Sequence, residues 1–180
     1  MPEGRPLKSG RISPHFFNSG LFNTGRTVGA LAEAYANALD NPFGSEVEVI
    51  FGPAYKGIPL AVTVAMKFES LTDYDVAYAF DRKEAKDHGE GGIIVGAPLA
   101  GKKVLIVDDV MTTGTSIIEA AEIIKAEGGT PIGCLIAFDR QEKGKEGDLS
   151  AVQDFQAKHG IPVVAATTLE DLIRVLHDQV

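Results

Sequence analysis

The residues best suited to chemistry stand together in Val104-Leu-Ile-Val-Asp-Asp-Val-Met-Thr-Thr-Gly-Thr-Ser116. An apolar run passes into the adjacent acids Asp108 and Asp109, then into a turn of glycine and hydroxyl residues that opens a helix. Backbone N–H groups at 113–116 are expected to point into one concavity. The helix amino terminus adds about half a positive charge there, so the turn suits a phosphate. Gly114 permits close backbone approach, and Thr112, Thr113, Thr115 and Ser116 add hydroxyl donors. Like charges just beyond a buried strand are costly without partners. Sugar hydroxyls and a magnesium-bound ligand would supply them, and the carboxylates would stabilise positive charge on a ribose ring. Spacing alone leaves one alternative, a pair of acids that only caps the next helix.

Such a turn needs a strand behind it. Lys103 to Val107 is apolar without alternation, as expected of a central parallel strand covered on both faces. Further strands are expected at residues 15–18, Val47 to Phe51, Val76 to Phe80, Ile132 to Phe138 and Val163 to Ala166. Val28, Leu31, Ala32, Tyr35 and Leu39 recur at helical spacing over Arg26 to Leu39. A second helix runs from Ile58 to about Phe68 with Pro59 in its first turn. A third carries Ile117, Ala120, Ala121 and Ile124 and ends at Gly128-Gly129. Ser150 and Thr168 are placed to cap two more, the last bearing Leu169, Leu172, Ile173 and Leu176. Residues 81–92 and 139–149 are polar and charged and read as loops, the first long enough to be a lid. The alternation predicts an α/β fold, a doubly wound, mostly parallel sheet with helices on both faces in a single domain over 1–180. Its ligand crevice should lie beyond the carboxyl strand ends.

Composition narrows the function further. Of 180 residues, 44% are hydrophobic and 23% charged, and the net charge of −8 disfavours a nucleic-acid footprint. Cys134 is the one cysteine, so an intrachain disulfide is impossible, and its Gly-Cys-Leu-Ile setting reads as a buried strand position. No stretch approaches the roughly 20 apolar residues of a membrane span, and the amino terminus lacks the apolar core of a signal peptide. A cytoplasmic protein is expected. Gly96-Ala-Pro-Leu-Ala-Gly101-Lys102 resembles a nucleotide-binding P-loop, but Lys103 stands where Ser or Thr should hold magnesium and a strand follows it. It is read as a turn.

The Asp108–Ser116 segment resembles the signature of the type I phosphoribosyltransferases, which use 5-phosphoribosyl 1-diphosphate (PRPP). Leu7-Lys-Ser-Gly-Arg-Ile-Ser-Pro-His-Phe-Phe-Asn18, Phe51-Gly-Pro-Ala-Tyr-Lys-Gly57, Arg82-Lys-Glu-Ala-Lys-Asp-His-Gly-Glu-Gly-Gly92 and Asp139-Arg-Gln-Glu142 resemble the orotate branch of that family, in order and from Leu7 onward. The resemblance implies phosphoribosyl transfer to orotate with magnesium, giving orotidine 5′-monophosphate and pyrophosphate in UMP biosynthesis. It implies catalytic roles for Asp108, Asp109, Lys86 and His88. PRPP would be bound by Tyr55, Lys56, Arg82, Lys83, Lys86, His88 and Asp108 to Ser116 as named above, with magnesium held mainly through PRPP and water. The turn amides from Ala54 to Gly57 would be donors, and a cis peptide at Ala54-Tyr55 is suggested. Lys8, Phe16, Phe17, Thr112 and Arg140 match the orotate side; alternation suggests that only one of Phe16 and Phe17 faces the base. The family pattern also implies a homodimer whose 81–92 lid acts on the neighbouring subunit's site. It has a further helix and strand before Lys8-Ser-Gly-Arg, so the small hood is expected to be short at its amino-terminal end, whether truncated or natural. A transferase for another base, and a regulator that senses PRPP, are the competing readings.

Overall fold

Continuous burial along the central strands accounts for the architecture of the protein, a computed structural model that describes residues 5–6, 12–13, 17–40, 42–86, 92–143 and 148–178. The strands are β1 (Arg5–Pro6), β2 (Ile12–Ser13), β3 (Val49–Gly52), β4 (Ala77–Lys86), β5 (Gly92–Gly96), β6 (Lys103–Asp108), β7 (Thr130–Asp139) and β8 (Val163–Thr168). The helices are α1 (Gly25–Asp40), α2 (Gly57–Thr72), α3 (Thr115–Ala126), α4 (Ala151–His159) and α5 (Leu169–His177). Among the described residues, the main sheet has six strands in the order β5-β4-β3-β6-β7-β8, all pairs parallel except β4–β5. β1 and β2 pair antiparallel as a separate ribbon.

Both sheet faces are covered. Ile50, Leu105, Val107 and Leu135 face a core built with Leu31, Tyr35 and Leu39 of α1 and Leu60, Val64 and Phe68 of α2. Their strand neighbours Val49, Phe51, Val104, Ile106 and Cys134 face Ile117 and Ile124 of α3 and Phe155 of α4. Period-two strands between two helical layers therefore read as continuous apolar runs. Cys134 is buried among them, as its setting predicts. The expected caps form: Ser150 with Gln153 and Thr168 with Asp171 make reciprocal capping boxes.

Several expectations need correction. Residues 81–92 are not one long loop, because β4 continues through Lys86 and Gly92–Gly96 returns antiparallel to it. This arm extends past the end of β3, where Lys83 and Glu84 are exposed, and so tolerates the polar sequence that suggested a loop. Phe17 and Asn18 are not in a strand; Asn18 instead caps a 3-10 turn at Ser19–Leu21, and His15 and Phe16 lie outside the described residues. α2 runs four residues beyond Phe68, to Thr72, and Asp73 closes it in the left-handed conformation. On α5, Leu172, Ile173 and Leu176 stay exposed, while Leu169 packs against the α1–α2 core. The 96–102 segment is a turn between β5 and β6, as expected.

Candidate active site

The chain leaves β3 toward α2 on one sheet face and leaves β6 toward α3 on the other. These strands are neighbours, with Phe51 beside Ile106, so their outgoing turns diverge and open a crevice at the switch in strand order. A cavity of about 560 Å³ occupies it, a size suited to a small molecule. Pro53 to Lys56 line one side, Asp108 to Val110 and Thr112 to Ser116 another, and Phe17 and Arg140 the far end.

The turn after β6 carries Gly114 at φ 73°, outside the comfortable range of other residues. A Cβ there would overlap the Phe155 ring, so the turn is seated directly on α4. Gly114 is also the N-cap of α3 and supplies no side-chain cap. The first amides of α3 are therefore left for solvent or a ligand, whereas α4 and α5 satisfy theirs with capping boxes.

The adjacent acids sit in different surroundings. Asp108 accepts from Ser116 Oγ at 2.7 Å and from the Asp109 amide at 2.9 Å. Burial is the main influence on its carboxyl and pushes the pKa up, against those hydrogen bonds. Burial also pushes Asp109 upward, but Lys56 Nζ at 2.8 Å, Ser19 Oγ at 2.6 Å and the Val110 amide at 2.8 Å more than offset it and bring the pKa below the usual value. The strand end itself is anchored by Tyr35, whose buried hydroxyl donates to the Asp108 carbonyl at 2.7 Å.

The turn after β3 begins with a cis peptide between Ala54 and Tyr55. Its amides are not all available, which corrects the expectation of donors from Ala54 to Gly57. The Ala54 amide donates to Asp81 Oδ1 at 2.6 Å, and the Gly57 amide donates to the Pro53 carbonyl at 3.0 Å. Gly52 is obligatory behind this turn because a Cβ there would overlap the Gly57 carbonyl oxygen.

At the far end, Arg140 is buried, yet its contacts are long. Its guanidinium lies 3.4 Å from the Met111 carbonyl and from Thr112 Oγ1, and 3.6 Å from Glu142. A planar cation with five N–H donors thus keeps capacity for an anionic ligand. Phe17 stacks on Phe138 and Phe22 at 5.8 Å ring separations and offers an aromatic surface beside it.

Tyr55, Lys56, Asp108, Asp109, Thr112, Thr113, Gly114, Thr115, Ser116, Phe17 and Arg140 are therefore brought to one cavity. Arg82 and Lys83 are on the β4 arm and do not line it; Lys86 ends that strand. Lys8, Phe16 and His88 lie outside the described residues. Sequence reasoning missed Ser19, Tyr35 and Asp81. No local spacing joins Ser19 to Asp109, 90 positions away, and Tyr35 reads only as a core aromatic.

Among the described residues, no group of three or more His, Cys, Asp or Glu side chains could enclose a metal. Adjacent carboxylates beside hydroxyls instead fit magnesium that keeps its waters and is held largely by a ligand's phosphates. Also among the described residues, no helix is long and apolar enough to cross a membrane.

Comparison with known proteins agrees with this geometry. The family model described as "Phosphoribosyl transferase domain" matches residues 20–171. A Nitrosococcus oceani protein named orotate phosphoribosyltransferase is 54% identical over 173 residues, which are 96% of this chain and 78% of that protein. One of the same name from Cronobacter sakazakii is 53% identical, covering 96% of this chain and 80% of its own. A solved orotate phosphoribosyltransferase from Francisella tularensis superposes with a TM-score of 0.81 at 42% identity, covering 97% of this chain and 83% of that one.

Proposed function

Since this chain belongs to the phosphoribosyl transferase family, we propose that it transfers the phosphoribosyl group of PRPP to orotate in UMP biosynthesis, releasing pyrophosphate and forming orotidine 5′-monophosphate. The observation that carries this reading is one cavity with two chemically distinct ends. An uncapped helix start with its hydroxyl-rich turn suits the 5′-phosphate, and the buried Arg140 beside Phe17 suits a flat base bearing a carboxylate.

In the transfer, the bond from ribose C1′ to the diphosphate oxygen breaks while C1′ bonds to a ring nitrogen of orotate. Asp108 and Asp109 line the same cavity and stabilise the positive charge that develops on the ribose. Lys56 and the open amides of its turn receive the departing diphosphate. Magnesium would be held mainly through PRPP and water, with Asp108 and Asp109 as the acids nearest to it, and would supply neutralisation of the diphosphate charge. Arg140 orients orotate through its carboxylate and Phe17 covers the ring. Lys8 adds a second orotate cation, and Phe17 lines the cavity among the described residues.

The active unit is a homodimer built from one catalytic domain per chain. Met66 and Leu71 of α2 and Tyr78 of β4 are large hydrophobics left exposed by the isolated chain, which favours a partner surface. Lys83 stands beside Asp81 of its own chain, and the arm that begins with Arg82 and Lys83 carries Lys86 and His88 to the neighbouring subunit, where they stabilise the leaving pyrophosphate. The enzyme works in the cytoplasm without nucleic-acid or membrane partners, in keeping with its charge of −8.

The test is orotate's ultraviolet absorbance, which should fall when magnesium and PRPP are added. Uracil, hypoxanthine and adenine should give no product. Equal turnover of orotate and hypoxanthine would sink the assignment.

A further inference from the structure

We propose that Asp81 is a positioning residue for the diphosphate turn, holding the Ala54 amide so that Tyr55 and Lys56 present the ligand-binding amides. The inference rests on the reading above that residues 53–57 receive diphosphate.

Asp81 is 4% exposed, and a buried carboxylate is costly unless hydrogen bonds or cations replace its water. β3 and β4 pair as far as Gly52 beside Phe80, so Asp81 is the next residue and stands alongside the start of the turn. Its Oδ1 takes the Ala54 amide at 2.6 Å, a charge-assisted bond and stronger than a neutral one. Lys83 Nζ, 3.9 Å from Oδ2, offsets the negative charge that would otherwise repel a diphosphate. The far end of the turn is tied separately, by the Gly57 amide on the Pro53 carbonyl at 3.0 Å. With both ends fastened, the amides of Tyr55 and Lys56 are those of the turn to which no described residue gives a partner. Lys56 itself must also aim its side chain at the cavity, where it meets Asp109. An acceptor at 81 therefore acts on diphosphate through the turn, without touching it.

Asp81→Ala removes the acceptor, and Asp81→Asn keeps one without the charge. We expect Asp81→Ala to raise the KM for PRPP and the Kd for magnesium pyrophosphate by about tenfold or more, with the KM for orotate changed by less than about twofold. Asp81→Asn should recover most of the loss. An unchanged PRPP KM in Asp81→Ala, an equal rise for both substrates, or Asp81→Asn as impaired as Asp81→Ala would each overturn the proposal. Should Asp81→Ala fail to fold, amide hydrogen exchange of the wild-type protein decides. Ala54 should be protected without ligand, and Tyr55 and Lys56 should gain protection only with magnesium pyrophosphate. Ala54 exchanging as fast as those two in the free protein overturns it. A wild-type protein that binds no PRPP sinks the diphosphate reading itself, whereas binding that is indifferent to Asp81 sinks only this inference.

Discussion

Lys56 Nζ lies 2.8 Å from Asp109 Oδ2, so the cation of the turn after β3 and the acid at the end of β6 are already paired across the cavity. The lysine is largely exposed but the acid is buried, so the pair offsets the burial of the Asp109 charge. Its value is also positional. On the proposed reading, an arriving diphosphate would compete for Lys56 and free the Asp109 carboxylate for the ribose. Lys56→Ala should raise the KM for PRPP by about tenfold to a hundredfold and lower the melting temperature at pH 7, because Asp109 is left charged and buried. Steady-state kinetics beside thermal unfolding checks both halves.

Neutralising either of the neighbouring acids should weaken catalysis. Each of Asp108→Asn and Asp109→Asn should lower turnover, by about ten- to a thousandfold if a transition-state charge contact is lost. Retained activity in the double variant would make the acids helix caps.

Stability separates them further. Burial raises the folded pKa of Asp108, so its charge opposes folding fully above that raised value, and the penalty disappears as pH falls to the unfolded value. Asp109 has a lowered folded pKa, so its contribution is favourable above the unfolded value and is lost as pH falls through the folded one. At pH 7, Asp108→Asn should therefore melt higher than wild type and Asp109→Asn lower. The Asp108→Asn advantage should shrink on acidification toward pH of about 4. Melting curves at several pH values give the answer, and two variants shifting in the same direction would refute it.

Arg140 keeps donor capacity because its protein contacts are long. Arg140→Ala should raise the KM for orotate by about tenfold or more and leave the KM for PRPP almost unchanged. Arg140→Lys should rescue incompletely, since a point charge cannot replace a fork. An equal effect on both substrates would remove Arg140 from the base end.

The strand pattern made the sheet legible because Val104 to Val107 are packed on both faces, and burial of that kind leaves a run without polar interruption. The Thr112–Ser116 turn was legible because glycine, hydroxyls and helix start are contiguous. The β4 arm was not. Its residues Lys83 and Glu84 are exposed, so a polar stretch and a projecting strand look alike. Ser19 and Asp81 were hidden for another reason. Each acts on a residue distant in sequence, and only the register of β3 beside β4 brings Asp81 to Ala54.

Gly114 combines a positive φ with a seat on Phe155. Gly114→Ala should cost about 1–3 kcal/mol of folding stability and weaken PRPP more than orotate, because the displaced turn is the proposed phosphate site. Adding Phe155→Ala should relieve the overlap but not the backbone strain, so the double variant regains part of the PRPP affinity. Denaturant midpoints and substrate KM values measure the two effects. Full independence of the substitutions would show that Phe155 does not set the turn.

Sharing of sites between subunits is open to a mixing experiment. Asp108 and Asp109 belong to the cavity of their own chain, whereas Lys86 ends a strand that projects past the sheet and leads into the proposed lid. Asp108→Asn/Asp109→Asn and Lys86→Ala should each be inactive as homodimers. If the lid acts on the partner, a mixed dimer holds one site with both defects and one with neither. Random exchange of equal amounts gives about half mixed dimers with one intact site each, so activity should return to about a quarter of wild type. If each chain closes its own lid, every site in the mixed dimer keeps one defect and nothing returns. Exchange itself is verified by isolating dimers that carry two different affinity tags. No recovery in those dimers would refute sharing while leaving the orotate reaction intact, because the base end and the phosphate end both belong to one chain's cavity.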